Sequence, residues 1–410
     1  MPVVYKQSRS GEMSSTSIKK RPYLTIECNW ENILRSTGGQ VWVTCKRFQE
    51  IGKHGNVWNV DTSSEGYPKV QASEGFRVIN ITKKTLNLMH EEPSCESLFV
   101  APVLVFSDIH KKSIISLDVS LGGLGVSSSV DNKLFVWDTS NGEIRRVLNG
   151  HVWDVYSCRF FPSGIVVLSG GADMQLKIWS VETGDCPVTL RGHKAAITDT
   201  AIVDRGRNVI SVSKDGTASL WDCGKSAHLD YIARFDNAIN GCDISSVNVD
   251  QGHPDKQPSE REIGTEGKLL VLGCEDGSLH TVGIHSRKLL HSYKFGTAVN
   301  CCKFISSSQV ICGTQDGYIH LFEIHDLSEP LVTWEESQSP VLCILPYQQG
   351  FFAGRSDGTC MFYSINSDNM VQLTGPNIEP IYAIAVDNIF LYTACRDAKI
   401  RKYKLPVVLI

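Results

Sequence analysis

The 410-residue sequence contains no Cys-x-x-Cys pair, no Gly-x-x-x-x-Gly-Lys loop, no dinucleotide-type glycine fingerprint and no apolar run longer than Leu98–Phe106. Each absence removes a class of function. Without paired cysteines the fourteen that are present lack zinc-site spacing. They are scattered through apolar stretches, or adjacent at Cys301 and Cys302, and read as small buried hydrophobes. Without phosphate-cradling loops, nucleotide chemistry has no sequence support. An apolar run ending at Phe106 falls far short of the roughly twenty residues a membrane helix needs. No metal, cofactor or membrane contact is expected.

Basic charge is also in short supply. Forty Lys/Arg stand against forty-four Asp/Glu, a net of -4, which argues against a nucleic-acid binder. Residues 1–97 hold 13 Lys/Arg and 10 Asp/Glu, and the remainder 27 and 34. The larger part is therefore mildly acidic and suits a basic protein partner better than an acidic one. The start of the chain lacks a secretory-signal pattern, so a reducing compartment is expected: the cytoplasm, with the nucleus as a second location.

What the sequence has is repetition. A short apolar run, a small residue, an Asp-Gly-like turn and an alternating apolar run recur. The turn aspartates are Asp131, Asp173, Asp215, Asp276, Asp316, Asp357 and Asp397, spaced by 42, 42, 61, 40, 41 and 40. Six positions after each comes Trp137, Trp179, Trp221, Val282, Phe322, Tyr363 or Tyr403. Each copy reads as a tight hairpin with period-2 strands, flanked by an upstream strand (Val155–Phe160, Ile197–Val203) and a downstream one (Pro187–Arg191). Four strands in about 42 residues match a propeller blade. Gly150-His151 and Gly192-His193 open copies, and Trp137-Asp138 and Trp221-Asp222 close them. In these phrases the chain resembles WD-repeat proteins, with copies four to seven degenerate. The fold class expected is all-β: a seven-bladed WD-repeat β-propeller behind a small β-rich N-terminal module.

Three copies carry the same polar set: His110, Ser127, Asp131 and Trp137; His151, Ser169, Asp173 and Trp179; His193, Ser211, Asp215 and Trp221. Serine, histidine and aspartate together suggest a hydrolase. A nucleophile is needed once, however, and this set appears three times in step with the fold, with no Gly-x-Ser-x-Gly elbow around the serines. The WD-repeat resemblance implies hydrogen-bonded structural tetrads. Buried imidazole, hydroxyl, carboxylate and indole N–H groups must satisfy one another in any case.

Residues 1–20 are polar and Ser/Lys-rich and read as a disordered arm. Residues 21–97 form the N-terminal module, either an independent unit or a cap on the ring. Gln40–Lys46, Gly75–Thr82 and Thr85–Met89 alternate like strands, Asn29–Arg35 suits a short helix, and Trp30, Trp42 and Trp58 suggest a core. The propeller spans 98–410. Its seventh blade, ending on strand Lys399–Lys404, lacks an outer strand, which residues 101–108 are expected to supply; Val407–Ile410 is the alternative. The long spacing marks an insertion over 247–267, polar and Pro/Gly-bearing, read as a loop outside the ring.

Gly150–Trp179, Thr200–Asp222 and Pro258–Gly264 (PSEREIG) resemble the proteasomal ATPase-associated factor family, over the propeller and more loosely over 21–97. The resemblance implies a non-enzymatic, monomeric assembly chaperone. It would bind the C-terminal region of a proteasomal ATPase subunit of the regulatory-particle base and hold that subunit back from the core particle. The partner surface is expected on the rim bearing the Gly-His loops, at Trp153, Tyr156, Thr198, Asn240, Asn300, Leu342 and Tyr382. Asp154, Lys214, Glu379 and Arg396 are the neighbouring charges. Packing within the fold also accounts for any one of these positions. The competing readings are a WD-repeat substrate receptor or scaffold of a ubiquitin ligase, a Ser-His-Asp hydrolase, and an RNA-linked scaffold.

Overall fold

The computed structural model describes residues 17–405 apart from 65, 246–251, 253, 255–256 and 368–369. Seven antiparallel four-stranded units succeed one another along the chain. Their inner strands are Ile114–Val119, Val155–Phe160, Ile197–Val203, Ile239–Ile244, Val299–Phe304, Val341–Tyr347 and Ile381–Val386. Each inner strand lies against the next, and the last lies against the first, so the ring is closed. The seven-bladed all-β reading holds.

The second strand of a blade is sandwiched between neighbouring blades and therefore reads as an unbroken small or apolar run. Asn208–Ser213 and Leu269–Cys274 are buried at every position. Outer strands face water, and Ile144–Val147 is exposed throughout. The apolar core consequently divides into wedges, one at each of the seven blade-to-blade interfaces. The residue six positions after each turn aspartate falls in the wedge shared with the preceding blade. Trp137, Trp179, Trp221, Val282, Phe322, Tyr363 and Tyr403 are all at most 2% exposed. The fixed offset in the sequence is the spacing needed to seal one blade onto another.

Leu104–Phe106 pairs antiparallel with Ile400–Lys404 and completes the seventh blade, as the segment 101–108 was expected to do. Residues 407–410, the alternative closure, lie outside the described residues. An open sheet edge is thereby paired where the ring begins and ends.

The N-terminal residues are built into the ring. Ser17–Lys19 pairs parallel with Val332–Trp334 as a fifth strand of the fifth blade. This corrects the assignment of 17–20 to a disordered arm; residues 1–16 lie outside the described residues. Tyr23–Ile26, Gln40–Lys46, Lys53–Thr62 and Pro68–Ala72 make a separate sheet. Phe76–Ile81, Thr85–His90 and Cys95–Val100 instead extend the sixth blade, Cys95–Val100 pairing parallel with Met370–Leu373. The two sheets close on a cluster containing Leu24, Trp30, Val41, Val43, Leu88 and Phe99. The expected helix is a single turn, Trp30–Ile33. Trp30 is buried, but Trp42 is 47% exposed and Trp58 half-buried, so only one of the three tryptophans is fully buried in this core. In the alternation of Gln40–Lys46, Val41 and Val43 take the inward face and Trp42 the outward one.

The insertion is not merely solvated. Its described residues 257–267 cross onto the third blade. Asn208 donates to Arg261 O (3.2 Å) and accepts from Ile263 N (2.7 Å). Glu262, almost fully buried, takes both guanidinium nitrogens of Arg287 at 3.0 and 2.5 Å. The sequence PSEREIG therefore forms a strap between two blades.

Candidate protein-interaction surface

All seven inner strands carry a β-bulge at their second residue. Register against the neighbouring strand slips there in every blade: between Ile114 and Ser116, Val155 and Ser157, Ile197 and Asp199, Ile239 and Gly241, Val299 and Cys301, Val341 and Cys343, and Ile381 and Ala383. The first residue of each strand is fully buried. The next is left out of the ladder, and a bulge re-aims such a side chain. The displaced residues are Ile115, Tyr156, Thr198, Asn240, Asn300, Leu342 and Tyr382, and together they line one mouth of a central channel of about 890 Å³. Six of the seven are residues that sequence reasoning named for the partner surface. Ile115 was missed, although its place immediately after the buried Ile114 is the signal that marks the other six.

The mouth has two unlike halves. From the third to the fifth blade its side chains stitch blades together. Thr198 donates to Ile239 O (2.5 Å), Asn240 to Val299 O (3.1 Å) and Asn300 to Val341 O (3.0 Å). Packing thus accounts for these three. The other half carries Leu342, Tyr382, Ile115 and Tyr156, half-buried apolar and aromatic side chains. Lys214 lies 6.0 Å from the Tyr156 ring centroid, within cation–π reach.

Beside this apolar half stands an exposed loop. Val152 is 64% and Trp153 65% exposed. Asn132 donates to Val152 O (3.3 Å), and Val152 N donates to Asp173 (3.3 Å), so the turns of the first two blades hold the loop. Val130 and Met174 on those turns are exposed as well. Asp154 turns back into the blade, where its carbonyl accepts Ala172 N at 2.8 Å. Glu379 and Arg396 form a 2.7 Å ion pair at the rim of the seventh blade and do not line the channel.

Deeper in the channel the charges are paired. Arg159 bonds Asp199 (3.0 Å) and Lys303 lies 3.6 Å from Asp243. Burial works against the charged form of Asp199, yet Arg159 and Lys303 hold its carboxyl below the ordinary range. Asp118, which accepts Phe160 N at 2.7 Å, is pushed up by burial.

The three hydroxyl–histidine–aspartate sets resolve differently. In the second blade His151 bridges Asp173 (2.8 Å) and Ser169 (2.7 Å), and Trp179 Nε1 donates to Ser169 (2.8 Å). The third blade repeats this with His193, Asp215, Ser211 and Trp221 at 2.9, 2.7 and 2.8 Å. Both serines are fully buried with their oxygens occupied, an arrangement suited to sealing a blade and closed to substrate. The first set is incomplete, a correction to the expected tetrad. His110 bonds Ser127 (2.7 Å) and Trp137 Nε1 reaches Ser127 (3.0 Å), but His110 Nδ1 is buried without a partner. Asp131 accepts instead from Ser129 (2.7 Å).

Blades six and seven use guanidinium groups that sequence reasoning did not find. Arg355, fully buried, donates to Gly317 O (2.7 Å), Ser339 O (2.9 Å) and Tyr363 Oη (3.3 Å). Arg401 clasps Asp397 at 3.2 and 2.5 Å. In the seventh blade a long cation thus takes up the turn aspartate, while in the sixth the guanidinium bonds backbone carbonyls and a tyrosine hydroxyl.

Comparison with known proteins agrees with this architecture. The WD domain, G-beta repeat, is matched at residues 142–180, 184–222 and 287–323. The chain is 47% identical over 385 residues to "Proteasomal ATPase-associated factor 1" of Gallus gallus, covering 93% of this chain and 98% of that one. It is 45% identical, with the same coverage, to the Homo sapiens protein of that name. It is 35% identical over 177 residues to "26S proteasome regulatory subunit RPN14" of Saccharomyces cerevisiae, covering 40% of this chain and 42% of that one.

Proposed function

The chain belongs to the proteasomal ATPase-associated factor 1 family, a family of proteasome-related WD-repeat factors and not of enzymes, and from that premise we propose that it binds the C-terminal region of one ATPase subunit of the proteasomal regulatory-particle base. In doing so it restrains that subunit from premature association with the core particle and leaves before the particle is complete.

The observation that carries the reading is the exposed Val152–Trp153 loop beside the apolar half of the channel mouth. Interfaces concentrate binding energy in tryptophan and tyrosine set among apolar neighbours, and Trp153, Tyr156, Tyr382, Leu342 and Ile115 have that composition. Polar residues Thr198, Asn240 and Asn300 bound the patch on the far side. The acidic balance of the body favours a basic partner segment. Titration calorimetry of the full chain against the C-terminal domain of each ATPase subunit tests this. Binding to one subunit that weakens at least about tenfold in a Trp153→Ala, Tyr156→Ala double variant supports it. Unchanged binding would place the contact elsewhere, and binding to none of the subunits would remove the reading.

A further inference from the structure

Cys45 and Cys95 lie in the two different sheets of the N-terminal module, and their sulfurs face each other at 3.6 Å across fifty positions of chain. Cys45 is buried in strand Gln40–Lys46, while Cys95 begins strand Cys95–Val100 at the partly exposed margin of the cluster. A disulfide needs about 2.05 Å between sulfurs, so closure asks for a movement of about 1.5 Å. Both are strand residues whose side chains already point at each other, which removes the commonest obstacle to bridging.

We propose that Cys45 and Cys95 are a redox modification site, closing into a reversible disulfide that joins the separate N-terminal sheet to the strand extending the sixth blade. Cys95–Val100 pairs directly with Met370–Leu373, so the bond would staple residues 23–72 to the ring. The surroundings favour reaction. The Cys95 thiol shares its hydrogen with Cys45, and Lys53, paired opposite Cys45 in the sheet, adds positive charge; both hold the Cys45 thiol below its ordinary range. Such stabilisation makes a cysteine reactive, and the partly exposed Cys95 beside it opens the pair to solvent.

The oxidant is a low-molecular-weight disulfide such as oxidised glutathione. Cys45, the more readily deprotonated sulfur, attacks one sulfur of the disulfide and releases one thiolate, which takes up the Cys45 proton through solvent. Cys95 then attacks Cys45 Sγ and expels the second thiolate, which takes the Cys95 proton. Two protein thiols become one disulfide, and the small disulfide becomes two thiols. Redox-responsive bridges of this kind are the usual form in which disulfides occur in reducing compartments.

The test uses the full native chain, equilibrated with glutathione buffers of rising oxidised fraction. Remaining thiols are alkylated, and the protein is digested without reduction and mapped by mass spectrometry. The expected result is a cross-linked peptide pair containing Cys45 and Cys95 that appears before any other disulfide and vanishes with dithiothreitol. The oxidised protein should melt several degrees higher than the reduced one, a shift absent in Cys95→Ser. Another cysteine pair bridging first, or Cys95 carrying glutathione with no bridge to Cys45 at full oxidation, would overturn the proposal. The peptide map is read on the unsubstituted chain, so it decides the matter even if Cys95→Ser folds poorly.

Discussion

Trp30 donates its indole N–H to Thr374 Oγ1 at 3.0 Å, a bond spanning 344 positions of sequence. Thr374 in turn reaches Val100 O at 3.3 Å, and its backbone N–H donates to the same carbonyl at 2.9 Å. Tyr403 closes the set by donating to Thr374 O at 2.7 Å. One buried threonine thus collects the N-terminal module, the sixth blade and the seventh. Trp30→Phe keeps an aromatic ring in the apolar cluster but removes the donor and part of the indole's volume, so it should cost about 1–3 kcal/mol. Trp30→Ala should cost about 3–5 kcal/mol. Urea unfolding of both variants checks this, and a Trp30→Phe variant as stable as the unsubstituted chain would mean that the bond to Thr374 is immaterial.

The complete and incomplete tetrads predict unequal losses. Asp173→Ala strands His151 Nδ1 in a buried site and also removes the acceptor of Val152 N. The expected loss is ~1–3 kcal/mol. Asp131→Ala removes an acceptor that His110 does not use, leaving Ser129 Oγ and the exposed Lys133 N–H without that partner. A loss of less than about 1 kcal/mol is expected there. Equilibrium unfolding of the two variants side by side is the measurement. If Asp131→Ala matched Asp173→Ala, the bond missing from the first blade would have to form in solution.

Two buried groups give the protein opposite responses to pH. Glu336 is 2% exposed, neither of its oxygens has a hydrogen-bond partner, and burial pushes its carboxyl up to about 7 despite Arg355 and Arg21. The folded state therefore holds its proton more tightly than the unfolded chain. That advantage is complete below the ordinary value of 4.5 and is lost as pH rises to about 7. His110 is the reverse. Burial lowers it to about 4 from 6.5, so stability present above pH 6.5 is lost as pH falls toward 4. Glu336→Gln should match the unsubstituted chain near pH 4.5 and exceed it by ~1–3 kcal/mol at pH 8. Melting temperatures of the two proteins across this range report the difference, and a constant gap would contradict it.

The ring was legible in the sequence because its geometry imposes a count. A residue that seals a blade must sit at one distance from the turn, so Trp137, Trp179 and Trp221 mark the same place as Val282, whose chemistry alone would have hidden it. The closing strand was legible for the same reason, since Leu104–Phe106 fills a position the period leaves empty. Partnerships formed in space were not legible. Glu262 meets Arg287, Trp30 meets Thr374 and Cys45 meets Cys95 across separations that no local pattern constrains. The bulges were half legible: the second residue of six of the seven inner strands stood out as a rim position, but the two-faced distribution of stitching and free side chains depends on which carbonyl the next blade presents. Trp42 was misplaced because a strand's alternation determines which residues share a face and leaves open which face is inside.

Glycine packing beneath the exposed loop allows its shape to be tested apart from its side chains. A Cβ on Gly171 would stand 2.2 Å from Asp154 O and 2.8 Å from Val155 Cα, both backbone atoms that cannot swing aside. Gly171→Ala must therefore push the Val152–Asp154 loop off the blade while leaving Trp153 and Tyr156 in the chain. Overpacking of this kind costs ~1–3 kcal/mol of stability. If the loop is the partner contact, affinity for the ATPase C-terminal domain should also fall about tenfold or more, since displaced contacts lose roughly 1.4 kcal/mol per decade. Gly122→Ala is the control, because its Cβ meets nothing nearer than Ser120 Oγ at 3.7 Å. Calorimetric titration and melting of both variants give four numbers. A loss of affinity confined to Gly171→Ala would tie binding to the loop's position, whereas an affinity unchanged in a measurably destabilised Gly171→Ala would show that the partner reads some other part of the ring.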